Sequence, residues 1–341
     1  MLRLIHNISL GGTKNLQNVV NHIKKGEFKN IYLLCGEEEY TKNASRSLLV
    51  ETLLKEPVEG NMNYHYFSGS SIIIPDLLEQ ADCLPFFSER QLIVVNSSGF
   101  FKTNNTLAES IENMPESTFI IFIESAIDKR NALYKFVKKN GMIFEFNHKN
   151  DRELVMWIAR YLNKYDYKIT GRAANLIISR VGQDMTSISN ELEKLIAYTA
   201  DTKTIDTDEV KAICSVSLSN KIFSMMDYIV SGKGTEALSL YRDLVLAKEA
   251  PPKILALLSR HYNILAQIKD MPRESDMNIA KALSIPSFAV KKYKSQAGMY
   301  NRSEILSCIT ACIEAETSFK TGLINPQIAI EVLIIQLSQM V

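Results

Sequence analysis

Short runs of consecutive apolar residues recur through the first part of the chain and predict buried strands. Five such runs are Ile31–Cys35, Tyr64–Phe67, Leu92–Val95, Phe119–Ile123 and Met142–Phe146. Because most of these runs are apolar at successive positions, both faces of the strands are expected to be buried, as in a parallel sheet. Helical segments fit between them, roughly at 41–55, 73–82, 104–112 and 129–139. The alternation predicts an α/β layer with helices on both faces of the sheet.

Beyond Asp151 the pattern becomes helical, and no further strand is predicted. Four short helices are expected at 151–163, 170–181, 184–199 and 206–214, with Asp184 as the N-cap of the third. Longer helices are expected at 219–231, 235–247, 251–269, 287–297, 302–319 and 326–340, separated by glycines and prolines. The chain is therefore predicted to form an α/β domain over 1–147, a small helical domain over 148–216 and a larger helical domain over 217–341.

Composition narrows the functional classes. The 341 residues carry 39 Lys and Arg against 38 Asp and Glu, so any contact with nucleic acid must come from a local basic patch. The five cysteines are few and scattered, which favours a reducing cytoplasm over a disulfide scaffold. No apolar run approaches the roughly 20 residues of a membrane span, and the first residues lack the apolar core of a signal peptide.

The first predicted strand leads into a segment that resembles a phosphate-binding loop. Gly36 and Lys42 have the spacing of the G-x-x-x-x-G-K-[ST] pattern, but Thr41 replaces the second glycine and Asn43 replaces the Mg²⁺-binding hydroxyl. Three glutamates, Glu37–Glu39, place negative charge where phosphates would lie. The loop is therefore predicted to be degenerate and not to bind ATP, with nucleotide binding kept as the alternative.

The third predicted strand points the same way. A nucleotide-hydrolysing site needs an acidic pair after this strand, to hold Mg²⁺ and orient the attacking water. The sequence has Asn96 and Ser97 there instead. No catalytic constellation of serine, cysteine, histidine and carboxylate stands out elsewhere, so no catalytic residue is predicted.

An unusual apolar segment lies between the second helix and the third strand. Leu84, Phe86 and Phe87 flank Pro85 at the expected helix end, and we refer to these three apolar residues as the apolar plug. They are either packed into the core beneath the sheet or exposed as a contact for a partner protein. Phe100–Phe101 is a competing candidate for such a contact.

Two features in the last part of the chain allow more than one interpretation. Residues 286–303 contain four cations and no acid: Lys291, Lys292, Lys294 and Arg302. With the interleaved Tyr293 and Tyr300, they could follow a nucleic-acid backbone or form an ordinary solvated helix face. Cys308 and Cys312 have helical spacing but no second metal-ligating pair nearby, so they are predicted to be buried structural thiols without a metal.

Several segments together resemble the delta-subunit family of bacterial DNA polymerase III. They are IYLLCGEEEY, LPFFSERQLIVV, FIIFIES followed by DKR, VGQDMTSISNELEKL, KIFSMMDYIVSGKGTEAL and FKTG. The resemblance runs from about residue 29 to residue 340, in order and with similar spacing. It implies a degenerate AAA+ α/β module, a helical lid domain and a C-terminal helical collar domain.

The resemblance also implies a function without catalysis by this chain, inside the DNA-directed DNA polymerase III holoenzyme. Family members bind the ring-shaped sliding clamp (beta) and open one of its interfaces. The gamma/tau and delta-prime subunits complete the loader, which places the clamp on primed DNA with ATP bound by other subunits. The family's clamp-contacting element corresponds here to Leu84, Phe86 and Phe87. No cofactor is implied for this chain.

Three alternatives stay open on the sequence alone. A delta-prime or gamma-type loader subunit would need features that are not visible here, such as an intact phosphate loop or zinc-ligating cysteines. An active AAA+ ATPase of another role is a second alternative, which nucleotide binding would distinguish. A helical scaffold unrelated to replication is the third, which clamp binding would distinguish.

Overall fold

The structure is a computed structural model, and it describes residues 14–285 and 287–340. The first 13 residues, for which the sequence predicts no signal peptide, lie outside the described residues, as do Pro286 and Val341. The chain divides between Ser215 and Val216 into two compact units. The boundaries of the predicted lid domain therefore stay a prediction.

The first unit begins with a five-stranded parallel sheet. Its elements are α1 (Lys14–Lys25), β1 (Ile31–Cys35), α2 (Glu39–Leu54), β2 (Tyr64–Ser68), α3 (Ile74–Asp82), β3 (Gln91–Asn96), α4 (Leu107–Ser110), a 3₁₀ turn (Ile111–Asn113), β4 (Thr118–Glu124), α5 (Ala132–Asn140) and β5 (Met142–Glu145). The strand order is β2-β3-β4-β1-β5, so β4 is the middle strand, and β1 lies between β4 and the edge strand β5. Leu33 accordingly lies between Phe122 on β4 and Ile143 on β5.

Alternate residues of the strands feed two separate cores, one on each face of the sheet. Tyr32 and Leu34 pack with α1 and α2, whereas Ile31, Leu33 and Cys35 pack with α3, α4 and α5. This arrangement confirms the predicted α/β layer. Helix α1 was not predicted, although Leu16, Val19, Val20 and Ile23 have the spacing of one helical face and are buried.

The rest of the first unit is helical around a core of its own. Its elements are α6 (Asp151–Asn163), β6 (Lys168–Ile169), α7 (Gly171–Val181), α8 (Met185–Tyr198), β7 (Thr204–Ile205) and α9 (Thr207–Ile213). Asp184 caps α8 by accepting from the Ser187 amide at 2.7 Å, as predicted. The expectation that strands stop after Asp151 was wrong, because β6 and β7 pair in parallel. Two residues a strand are too few for a periodic signal.

The second unit consists of helices around one large core. They are α10 (Leu218–Val230), α11 (Gly234–Leu246), α12 (Pro251–Lys269), α13 (Asp276–Leu283), α14 (Ser287–Gly298), α15 (Arg302–Lys320) and α16 (Pro326–Ser338). Helix α13 was not predicted; it is short, and Ser275 caps it through the Asn278 amide. Within residues 14–285 and 287–340, no helix has the length and apolar character needed to cross a membrane.

Candidate functional site

The loop after β1 closes on a carboxylate of the chain itself. Glu38 is buried and is the N-cap of α2, where its carboxylate oxygens accept from the amides of Tyr40 at 2.9 Å and Thr41 at 3.0 Å. The Thr41 hydroxyl also donates to Glu38. Because the amides at a helix N-terminus form the usual anion site after a strand, the carboxylate lies where a phosphate would bind. Of the three consecutive glutamates in this loop, Glu38 is therefore the one whose carboxylate occupies the anion site.

The lysine of the degenerate loop is engaged inside the protein. Lys42 has a side chain that is 1% exposed, and its Nζ donates to the Gly36 carbonyl and to Glu39 Oε1, each at 2.7 Å. A buried ammonium that is already paired cannot reach a nucleotide phosphate without losing both contacts. Asn43, the fifth residue of α2, is exposed.

Gly36 has a structural reason to be glycine. Its φ is +120°, and a Cβ built at this position would lie 2.0 Å from the carbonyl oxygen of Phe146. That approach arises because the Phe146 amide donates to the Cys35 carbonyl at 2.6 Å, just beyond the paired part of β1 and β5. The glycine is thus required by strand packing and does not indicate a phosphate site.

One buried acidic residue lies at the carboxyl ends of β3 and β4, and its carboxylate is hydrogen-bonded to the neighbouring loop. Glu124, at the end of β4, accepts from the Ser98 hydroxyl at 2.6 Å and from the Gly99 amide at 3.1 Å. Asn96 at the end of β3 donates to the Tyr66 hydroxyl at 3.1 Å. Glu124 was not singled out from the sequence, and its role here is to hold the loop after β3.

These contacts predict that the isolated chain does not bind ATP. Titration calorimetry with ATP and Mg²⁺ is expected to give no binding heat, because the Glu38 carboxylate repels phosphate from the helix N-terminus. Lys42→Ala should lower stability and leave the absence of nucleotide binding unchanged. Micromolar binding, or hydrolysis that disappears in Lys42→Ala, would contradict this prediction.

The apolar plug lies on the surface, between α3 and β3. Leu84 is 78% exposed, Phe86 56% and Phe87 94%. Among the phenylalanines whose side chains the structure describes, Phe86 and Phe87 are the exposed ones. Their ring centroids lie 4.6 Å apart in an edge-to-face arrangement, which makes one continuous apolar knob. The alternative interpretation, that these side chains pack into the core beneath the sheet, is therefore wrong.

The backbone around the plug is anchored at both ends. Gln91, at the start of β3, donates through its buried amide to the carbonyls of Gln80 and Ala81, at the end of α3. Phe87 has a φ of +48°, in the left-handed region that non-glycine residues seldom adopt. Such a conformation persists where the surrounding contacts enforce it, and it occurs often at binding sites.

The competing candidate for a partner contact was wrong. Phe100 is 7% exposed and Phe101 is fully buried, with the Phe101 ring stacked edge-on against Phe122 of β4. Both belong to the core on the α3 face of the sheet. The sequence alone does not show whether two adjacent phenylalanines after a strand point into the core or into solvent.

The basic stretch near α14 is largely neutralised by acids of the second unit. Lys294 pairs with Asp276 at 2.7 Å, and Lys292 lies 3.6 Å from Asp227. Arg302 likewise pairs with Asp270 at 3.2 Å. The exposed Lys291 forms no ion pair within the described residues.

The interleaved tyrosines do not support base stacking. Tyr293 and Tyr300 are both buried in the core of the second unit, and Tyr300 shares a hydrogen bond with Tyr262. Buried in this way, the two tyrosines are not available to a nucleic acid, and any such contact would rest on the cations alone. The cations remain a predicted contact for the nucleic-acid backbone.

The two cysteines of α15 are buried thiols, as predicted. Burial raises the pKa of Cys308 to about 11 and that of Cys312 to about 12, so both stay protonated at neutral pH. Within the described residues, no group of three or more potential metal ligands comes together.

Comparison with known proteins identifies the family. The family model for the DNA polymerase III delta subunit matches residues 32–147. The model for the C-terminal domain of the same subunit matches residues 219–337, so the two together cover more than half of the chain. The chain belongs to the DNA polymerase III delta subunit family. Membership confirms the resemblance drawn from the sequence and makes the chain a clamp-loader component.

Relatives extend this match over nearly the whole length. The DNA polymerase III subunit delta of Bacillus subtilis is 27% identical over 94% of this chain and 96% of its own. The probable delta subunit of Aquifex aeolicus is 21% identical over 82% of this chain and 83% of its own. The solved structure of the B. subtilis DNA clamp loader delta protein superposes with a TM-score of 0.73 at 26% identity, covering 95% of this chain and 99% of that protein. The predicted fold class, an α/β module followed by helical domains, is confirmed.

Proposed function

We propose that this chain binds the sliding clamp through the apolar plug and opens one of its interfaces, so that the loader can place the clamp on primed DNA. The exposure of Leu84, Phe86 and Phe87 on an anchored loop carries this proposal. Two aromatic rings and a leucine held in water are unfavourable unless a partner covers them. Burying each would contribute roughly 1.5–3 kcal/mol, and aromatic anchors dominate many protein interfaces.

The chain's part in this process needs no catalysis of its own. The helix N-terminus after β1 is filled by Glu38, and Lys42 is paired inside the protein. These contacts support a division of labour in which ATP is bound by the other loader subunits. In this proposal the chain is a non-catalytic subunit of a DNA-directed DNA polymerase holoenzyme, and it acts in the reducing cytoplasm.

The last helix supports association with the gamma/tau and delta-prime subunits. Ile328, Val332 and Ile335 of α16 are exposed at 54%, 52% and 44%, and their spacing places them on one face. From Thr321 to Met340 the sequence holds one charge, Glu331, which lies 3.6 Å from Arg242. Depletion of charge around exposed apolar residues is typical of the centre of a protein interface.

The direct test is binding of the purified chain to the sliding clamp of the same organism. We expect a one-to-one complex by calorimetry and size-exclusion chromatography, with an affinity that ATP and Mg²⁺ do not change. An affinity that depends on nucleotide would favour an active ATPase instead. A chain that does not bind the clamp would favour a helical scaffold with another role.

The basic stretch predicts a small contribution to contact with primed DNA in the assembled loader. Each phosphate neutralised adds roughly 0.9 to the slope of log affinity against log salt on duplex DNA. Because Lys292, Lys294 and Arg302 lie close to acids, Lys291→Ala is expected to account for most of the loss of slope. Lys253→Ala, at an exposed lysine paired with Glu249 at 2.9 Å, is the matched control. An equal slope for both variants would favour the solvated-face interpretation.

A further inference from the structure

The loop that carries the apolar plug is held by one buried side-chain amide. Asn63 directly precedes β2 and is 5% exposed. Its Oδ1 accepts from the Phe86 amide at 2.6 Å, and its Nδ2 donates to the Phe86 carbonyl at 2.9 Å. One side chain therefore satisfies both backbone groups of a plug residue that lies 23 positions away in sequence.

Gln91 fixes the two ends of the loop, but few other contacts fix the backbone between those ends. Within the described residues, Leu84–Arg90 forms no backbone–backbone hydrogen bond. The ion pair between Glu89 and Lys55, at 3.3 Å, joins two exposed side chains and constrains the loop weakly. The hydrogen bonds of Asn63 are thus the principal restraint at the centre of the plug.

Asn63 is itself fixed by the sheet. Its backbone carbonyl accepts from the Leu92 amide of β3 at 2.8 Å, and its amide donates to the Asn61 side chain at 2.8 Å. Asn63 therefore fixes the position of the Phe86 backbone relative to β2 and β3. Because Phe87 follows directly with a φ of +48°, its exposed ring depends on the same restraint.

We infer that Asn63 is a positioning residue that holds the apolar plug in its clamp-binding conformation before the clamp arrives. This inference rests on the proposed function. A loop that samples many conformations binds with an affinity reduced by the fraction of time it is competent. Releasing the Phe86 backbone should therefore weaken clamp binding although Asn63 carries no part of the apolar contact.

The test compares Asn63→Ala with Asn131→Ala in the full chain. Asn131 is also buried, and its side chain accepts from the Leu133 amide and donates to the carbonyls of Phe100 and Thr103. Its replacement removes a comparable set of asparagine hydrogen bonds at a place away from the plug, so it is the matched control. We expect Asn63→Ala to weaken clamp affinity about tenfold, mainly through slower association. Hydrogen exchange of the Phe86 amide should speed up by a similar factor. Asn131→Ala should change neither quantity.

A second variant separates the two hydrogen bonds. Asn63→Asp retains the acceptor for the Phe86 amide but places a carboxylate oxygen against the Phe86 carbonyl oxygen, so it should weaken clamp binding although the bond from the Phe86 amide is kept. It also serves if Asn63→Ala does not fold. Wild-type clamp affinity in the folded Asn63 variants would overturn the inference, even if exchange of the Phe86 amide speeds up.

The result is distinguishable from failure of the proposed function. If the Phe86→Ala, Phe87→Ala double variant keeps its clamp affinity, the plug is not the contact, whatever Asn63 does. If that double variant loses binding while Asn63→Ala behaves like Asn131→Ala, the plug is the contact and Asn63 does not position it.

Discussion

Replacing both Phe86 and Phe87 with alanine is expected to reduce clamp affinity by at least about a hundredfold. Each ring is more than half exposed in the free chain, so each stands to gain roughly 1.5–3 kcal/mol when it is buried in a partner. Losing two such contributions removes several kcal/mol, and each 1.4 kcal/mol is a factor of about ten in affinity. Calorimetry or surface-based binding to the clamp measures this directly.

The same substitution is expected to leave folding almost unchanged, because neither ring belongs to a core. Phe100→Ala with Phe101→Ala is a matched control, since it removes a neighbouring pair of rings that are buried. That control should cost several kcal/mol of stability and should affect clamp binding only as far as it unfolds the chain. A plug variant that misfolds, or one that binds the clamp like wild type, would contradict the assignment.

Gly36→Ala is expected to be among the most destabilising single changes in the chain. The added methyl carbon would lie 2.0 Å from the Phe146 carbonyl oxygen, which is backbone and cannot rotate away. Either β5 must separate from β1 near its end or the loop before α2 must shift, and both disrupt the pairing of β1 with β5. We expect a loss of about 4 kcal/mol or more in the free energy of unfolding.

Gly69→Ala is the control for this prediction. Gly69 also has a positive φ, +93°, but a Cβ there would meet nothing within 4 Å. It should therefore lose only the roughly 1–2 kcal/mol of a left-handed backbone. Chemical denaturation of the two variants separates steric overlap from backbone strain, and equal losses would mean that the contact with Phe146 is easily relieved.

The parallel sheet was predictable because its signal is local. Runs such as Leu92–Val95 and Phe119–Ile123 are apolar at every position, and the structure buries each of these residues on one side or the other. Helix α1 also carried a readable signal, in the spacing of Val19, Val20 and Ile23, but its many polar residues concealed it. The β6–β7 pair could not be read, because its register depends on tertiary packing.

The candidate site was predictable only in part. The sequence located the negative charge after β1 and the aromatic pair after α3. It could not say which glutamate caps α2, since Glu37, Glu38 and Glu39 are equivalent until the loop has a shape. Nor could it find Asn63, whose importance comes from hydrogen bonds to a backbone 23 residues away. Contacts between distant residues leave no periodic trace in a single sequence.

The carboxylate of Glu38 has a thermodynamic consequence for the whole α/β module. A protein that binds nucleotide at such a helix N-terminus gains stability in proportion to the logarithm of the ligand concentration over its dissociation constant. Here the anion is the carboxylate of Glu38, which is part of the chain. Its occupancy of the helix N-terminus therefore does not depend on the concentration of any solute. The melting temperature of this module should therefore be the same at any ratio of ATP to ADP, so the loop that carries the apolar plug is expected to keep one stability whichever nucleotide is present.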